Sequence, residues 1–222
     1  MQSKILVVGS YNKTYEEIHK VTLAHNQKYF DKYNIEYIYK KNDVRDDVAL
    51  NCYDKFEMVT SLLNERDDID YIWSMDVDIV ICDFNIDIRT FTKFSHKDIL
   101  FSSVYECHPE MHWNINAGSI IFKNCKDTKR VLKNYMAIGR QFGNDDTLWN
   151  DQDLWQHVLK NDHNLRGVCS VFPQNAFNHG NADKCKDLFL VHDMSASSTT
   201  SPSHQAAVIK LESIKRIINE LR

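Results

Sequence analysis

Two aspartates one residue apart, Asp76 and Asp78, stand directly behind the run Tyr71-Ile72-Trp73-Ser74-Met75. Carboxylates held that close repel, and a hard divalent cation relieves the repulsion; oxygen ligands favour Mg²⁺ or Mn²⁺. The triplet alone carries no weight, because Asp fills 22 of 222 positions and Asp-x-Asp recurs at 68/70 and 151/153. Position separates the three. In extended backbone, residues i and i+2 point the same way. The β-prone run before Asp76 therefore predicts a central strand whose carboxyl end, where open α/β sheets bind ligands, carries both carboxylates. A residue at a strand end contributes little packing, so Asp78→Asn is expected to leave thermal stability near wild type. Asp68 and Asp70 follow Glu65-Arg66-Asp67 and read as a solvated turn.

The elements that must position this pair are legible along the chain. Ile5 to Val8, closed by Gly9-Ser10, predicts a first buried strand, and Thr14 to Glu17 has capping-box form ahead of a helix over 14–33. A strand over 35–39, a helix over 53–64, the strand 71–75 and an apolar run over 79–82 follow. Further strands are expected over 99–104, 118–122 and 188–191, with helices over 127–142, 151–161 and 205–221. In the last helix Val208, Leu211, Ile214, Ile218 and Leu221 form the apolar stripe, with Lys210, Lys215, Arg216 and Arg222 around it. Packing on the domain, rather than membrane binding, is its expected use. Strands and helices alternate early and less regularly later, which predicts an α/β fold with a mostly parallel central sheet flanked by helices. At about 150 residues per domain the chain makes one domain.

The 27 basic and 31 acidic residues leave a net charge of −4, which disfavours a coat for nucleic acid or for an anionic membrane. Six scattered cysteines without Cys-x-x-Cys read as reduced thiols in a cytoplasmic protein. The N-terminus has no signal-peptide pattern and no window approaches 18 apolar residues, so no membrane span is expected. Asn12-Lys13-Thr14 matches a glycosylation acceptor only as a chance triplet.

Four blocks, in order over roughly residues 53 to 192, resemble the metal-dependent GT-A glycosyltransferases. The likeness is to the galactosyl-, xylosyl- and mannosyltransferase type that takes a nucleotide-diphosphate sugar. Tyr53-Asp54-Lys55-Phe56 leads to Tyr71–Asp78, similar to that family's strand and metal-binding Asp-x-Asp. Asn116-Ala117-Gly118 resembles its Asn-x-Gly strand beside the donor sugar. Asn150-Asp151-Gln152 resembles its Asp-Asp-Gln, with Asn for the first Asp, and Leu188 to His192 resembles its terminal strand and histidine. The resemblance implies a Rossmann-like domain over 1–222, with a nucleotide-binding half over 1–104 and an acceptor half over 105–222. It implies Asp76, Asp78 and His192 as ligands of Mn²⁺ (or Mg²⁺). It also implies Lys55, Asp76, Asn116 and Gly118 at the donor, with Asp151 or Gln152 helping to stabilise a cationic transition state in a retaining transfer. The donor would be a UDP-sugar and the acceptor a glycan or glycoprotein. The aromatic and glycine that usually follow the histidine are replaced by Asp193-Met194-Ser195. Golgi members carry an N-terminal anchor and stem; a short form without them suits a bacterium or a large DNA virus, soluble in the cytoplasm, the host's if viral.

Each residue also has a plainer use. His192 fits a core histidine on a backbone carbonyl, Lys55 a solvated lysine, Asn116 and Gly118 a tight strand start, and Asp151 and Gln152 a helix start. Ser10, Tyr11 and Asn12 follow the first strand, where a nucleotide would lie, with Tyr11 able to stack on uracil; an ordinary turn is the alternative. His108 and His112 beside Trp113 could face an acceptor sugar, and the polar loop Ser195 to Ser203 could serve as a lid. Two other functions compete. Asp76-Val77-Asp78-Ile79-Val80 fits a haloacid-dehalogenase phosphatase, but that motif usually opens the chain, and Asp145-Asp146 follows no strand. A non-catalytic sugar-binding module would show an all-β pattern.

Overall fold

The computed structural model describes residues 2–42, 48–103, 113–142, 150–173, 176–178, 182–192 and 203–222. The chain opens with strand β1 (Ile5–Tyr11), helix α1 (Glu16–Tyr33), β2 (Glu36–Lys41) and α2 (Val48–Glu65). Next come β3 (Tyr71–Met75), β4 (Ile79–Ile81), α3 (Arg89–Phe94), β5 (Ile99–Ser103) and β6 (Ile115–Lys123). The remainder is α4 (Lys126–Phe142), α5 (Asp151–Asn161), α6 (Leu165–Val168), β7 (Cys169–Phe172), β8 (Leu190–His192) and α7 (Ser203–Glu220). Six strands form one sheet in the order β2-β1-β3-β6-β5-β7, and β4 pairs with β8 in a separate two-stranded ribbon. β6 alone runs against its neighbours β3 and β5, so the sheet is mostly parallel, as the alternation predicts. β7 and α3 have no counterpart in the sequence reading, because four and six residues are too few to show a period.

Alternation along the strands divides the core between two faces of the sheet. Leu6, Val8, Ile72, Ile120 and Phe122 meet Phe56, Tyr135 and Trp155 from α2, α4 and α5. Ile5, Val7, Trp73 and Ile121 meet Tyr29 and Phe30 of α1 and Phe189 beyond. Trp155 stacks on Tyr135 with ring centroids 4.1 Å apart and is fully buried. Trp155→Ala should therefore cost about 3–5 kcal/mol in chemical denaturation; a loss under about 1 kcal/mol would show that this face repacks.

Two expected helix details change. Thr14 lies inside a short 3₁₀ turn, and the cap comes from Asn12, whose side chain accepts from Tyr15 N–H. In α7 the buried side is Ala206, Ala207, Lys210, Ile214, Ile217 and Ile218, while Val208 is 50% exposed. Of the expected stripe, Ile214 and Ile218 are buried and Leu211 and Leu221 pack against the same cluster; the departures are Val208 and a lysine that faces inward beside the stripe, and the reason for the lysine lies in the site below. Among the described residues Cys82, Cys125, Cys169 and Cys185 are free thiols, and burial pushes Cys82 and Cys169 up to about 12. None of the described helices is long and apolar enough to cross a membrane.

Candidate active site

β3 ends at Met75, and Asp76-Val77-Asp78 turns the chain into β4, with Ile79 N–H donating to Asp76 O at 3.3 Å. The carboxylates thus converge through a turn rather than through strand alternation. Val77 is buried and its carbonyl accepts from Thr22 Oγ1 of α1 at 2.7 Å, which fixes the turn from below. In the β4–β8 ribbon Ile79 stands opposite His192. This register delivers the imidazole to the aspartates: Nε2 lies 3.2 Å from Asp78 Oδ1 and 3.7 Å from Asp76 Oδ2.

The other ring nitrogen decides the chemistry. Asn116 Oδ1 accepts from Gly118 N–H at 2.8 Å and from Asn178 Nδ2 at 2.6 Å, which identifies it as the oxygen of the amide. His192 Nδ1, 3.2 Å away, is therefore the donor to it, so Nε2 is the ring nitrogen that faces the carboxylates, carrying a proton toward Asp78 or, in the neutral ring, a lone pair for a cation. Gly118 is required for space rather than for backbone freedom, since no glycine among the described residues has positive φ. A Cβ there would fall 2.4 Å from His192 Cε1 and 2.5 Å from Nδ1.

Two lysines hold the outer oxygens. Lys55, 3% exposed and so not a solvated lysine, bonds Asp76 Oδ1 at 2.6 Å, Asp151 Oδ2 at 2.8 Å and Ala117 O at 3.2 Å. Lys210, from α7, bonds Asp78 Oδ2 at 2.5 Å. Asp151 begins α5 behind its cap Asn150, whose side chain accepts from Asp153 N–H at 2.9 Å; Asn caps as well as Asp, so the departure at position 150 is structurally neutral. Gln152 Oε1 accepts from Ala117 N–H at 3.4 Å.

Burial raises the Asp76 carboxyl above the usual range against the pull of Lys55 and His192. Burial also works against the Asp78 carboxylate, but Lys210 and then His192 outweigh it and hold Asp78 well below that range. For His192 burial opposes the imidazolium, and Asp78 more than compensates. Asp78 is only 5% exposed between two basic groups, so it is not the lightly packed strand-end residue that the sequence suggests.

The three sequence-singled ligands thus come together, with ligand atoms all within 4.8 Å of one another. The donor set fits a divalent cation: Asp76 Oδ2, Asp78 Oδ1 and a correctly tautomeric Nε2 converge, while the outer oxygens are spent on lysines. Lys55, Asn116, Gly118, Asp151 and Gln152 lie around this cluster. Ser10 and Tyr11 close β1, which runs parallel to β3 with Val8 opposite Ser74, so they share the carboxyl edge of the sheet with Asp76. Tyr11 stacks on His19 at 4.1 Å, and Asn12 is the cap described above. Lys210 and Asn178 are additions. The signal for Lys210 was a lysine inside the spacing Ala207, Ile214, Ile217; Asn178 had none. His108, His112, Asp145, Asp146 and the segment 193–202, with most of the Ser195 to Ser203 loop, lie outside the described residues.

A three-layered α/β fold with an acidic turn and histidine at the strand ends defines a glycosyltransferase of GT-A architecture. Residues 2–197 match the galactosyl transferase GMA12/MNN10 family, and the chain belongs to it. Among solved structures it is similar to a glycosyltransferase involved in the glycosylation of the major capsid of PBCV-1, at 13% identity and TM-score 0.72 over 96% of this chain and 99% of that one. It is also similar to the galactosyltransferase LgtC in complex with donor and acceptor sugar analogs, at 11% identity and TM-score 0.54, covering 96% of this chain and 95% of that one. The glycosyltransferase GlyE of Streptococcus pneumoniae TIGR4 aligns over 99% of this chain and 63% of its own, at 11% identity and TM-score 0.53. No curated protein sequence matches the chain. Membership of a transferase family decides against the phosphatase and the non-catalytic module.

Proposed function

We propose that the protein moves a hexose or deoxyhexose from a nucleotide-diphosphate donor, a UDP-sugar first, to a glycan or glycoprotein hydroxyl, with a divalent cation and with retention. The observation that carries this is the convergence of Asp76 Oδ2, Asp78 Oδ1 and His192 Nε2 at the carboxyl edge of the sheet. Asp76, Asp78 and His192 would hold Mn²⁺ (or Mg²⁺), which supplies a Lewis acid for the departing diphosphate. Mixed oxygen and imidazole ligation suits Mn²⁺ at least as well as Mg²⁺.

The chain's own groups then divide the work. Ser10, Tyr11 and Asn12 receive the nucleotide at the end of β1, within the half formed by 1–104. Asn116 and Gly118 shape the wall beside the donor sugar and keep the His192 ring in place. Lys55 acts through Asp76 and Asp151, fixing two carboxylates at once. Asp151 and Gln152, at the start of α5, place a carboxylate and an amide where positive charge develops on the sugar in the transition state. The acceptor approaches from the side of 105–222. That LgtC is known with donor and acceptor sugar analogs supports a sugar at both ends of the reaction.

The test is release of nucleoside diphosphate from a panel of nucleotide sugars, with and without a glycan acceptor. With Mn²⁺ present one donor should be consumed, and excess chelator should return the rate to background. Full turnover in excess chelator overturns the metal requirement; inertness of every donor with every acceptor overturns the donor class.

A further inference from the structure

Lys210 sits on the last helix, 132 residues from the aspartate it bonds, and is 8% exposed. Burying an ammonium is costly unless it is paired. Its nitrogen lies 2.5 Å from Asp78 Oδ2 and 5.7 Å from the centre of the Tyr15 ring. Helix α7 is oriented to deliver it: Ala207, Ile214 and Ile217 on the same side are buried against Ile18, Val80 and Val191, so the lysine reaches Asp78 from an apolar surround.

An ion pair buried this way contributes little net stability, since well-packed apolar residues of similar volume often do as well. Its geometric effect is specific. With Oδ2 taken by Lys210, Asp78 presents Oδ1 to His192 Nε2 at 3.2 Å. Lys55 does the same on the opposite side, taking Asp76 Oδ1 and leaving Oδ2 toward His192. The inner oxygens are thereby set in advance, one by a lysine of α2 and one by a lysine of α7.

We propose that Lys210 is a positioning residue of the metal centre: it turns Asp78 so that one chosen oxygen faces the cation, and so makes the C-terminal helix a working part of the site. This rests on the reading that Asp76, Asp78 and His192 bind a divalent cation. The two can fail separately.

Coulomb attraction and positioning make opposite forecasts for Lys210→Met, which keeps length and apolar bulk while removing the charge. Loss of a neighbouring positive charge should by itself strengthen cation binding. Loss of positioning should weaken it by about tenfold or more, as when a group that orients a ligand is removed. Free Mn²⁺ is titrated against the whole chain by electron paramagnetic resonance, for wild type, Lys210→Met, Lys210→Arg and Asp78→Asn, with melting curves on the same samples. The expected result is a weaker Mn²⁺ site in Lys210→Met with a folded melting profile. Mn²⁺ bound by Lys210→Met as tightly as by wild type, or more tightly, overturns the proposal and leaves the metal reading standing. If Lys210→Met does not fold, Lys210→Arg decides. Its planar fork favours both carboxylate oxygens, so the positioning role predicts a weakened Mn²⁺ site at near-normal stability, and unchanged affinity overturns it. Wild type that binds no more Mn²⁺ than Asp78→Asn overturns the metal reading and this proposal with it.

Discussion

Asp78→Asn should abolish metal-dependent transfer and lower stability together. A direct ligand is lost, so kcat/KM should fall by at least about a hundredfold, the upper end for losing a group that merely orients a ligand. The stability effect comes from the two basic groups left behind. Lys210 and His192 face Asp78 at 2.5 and 3.2 Å inside the protein, and removing one partner of a buried pair costs about 3–5 kcal/mol. The asparagine carbonyl still accepts one hydrogen bond, which places the loss near the lower figure. For a chain of this length that is roughly 6–12 °C in Tm. The double variant Asp78→Asn/Lys210→Met removes both charges and should recover much of the stability while remaining inactive, a coupling that a double-mutant cycle measures. Unchanged Tm in the single variant, or no recovery in the double one, would falsify the account of Asp78 as the anion that neutralises this part of the core.

The sequence carried the architecture because its signals are local and repeated. Ile5 to Val8 alternates between two apolar faces, and the long helices repeat their apolar positions over several turns. The acidic pair was legible from the strand that runs into it, whereas Asn116-Ala117-Gly118, Asp151-Gln152 and His192 stood out only through the resemblance of their order to the glycosyltransferase blocks. What stayed hidden is tertiary. No period reveals that β8 leaves the main sheet to pair with β4, yet that pairing brings His192 to the aspartates. Lys210 read as surface charge and Lys55 stood open between a solvated lysine and a donor-site cation, because a lysine is rarely buried without a partner and the partners, Asp78 for the one and Asp76 and Asp151 for the other, are remote in the chain. The inward side chain of Lys210 beside the α7 stripe stayed hidden for the same reason, since an apolar stripe does not register a lysine that has a carboxylate to meet.

The glycine of the Asn-x-Gly block now has a physical reason, and with it a second large effect. Gly118→Ala adds one methyl at a strand position with ordinary backbone angles, so the backbone accepts it. Space does not: the new carbon would stand 2.4 Å from His192 Cε1, 2.5 Å from Nδ1 and 3.1 Å from Asn116 Oδ1. The ring has to move, and moving it breaks the Nδ1 bond to Asn116 and carries Nε2 away from Asp78. Overpacking of this kind costs about 1–3 kcal/mol, and loss of the orienting bond should weaken Mn²⁺ binding by about 10–100-fold. His192→Ala supplies the control. In that background the ring is absent, so adding Gly118→Ala should cost almost no further stability and change Mn²⁺ affinity no further. Mn²⁺ titration and melting of the four proteins check both halves of the argument. An equal stability cost of Gly118→Ala with and without the imidazole would place the clash elsewhere. Wild-type Mn²⁺ affinity in Gly118→Ala would mean that His192 does not need the seat this glycine leaves for it.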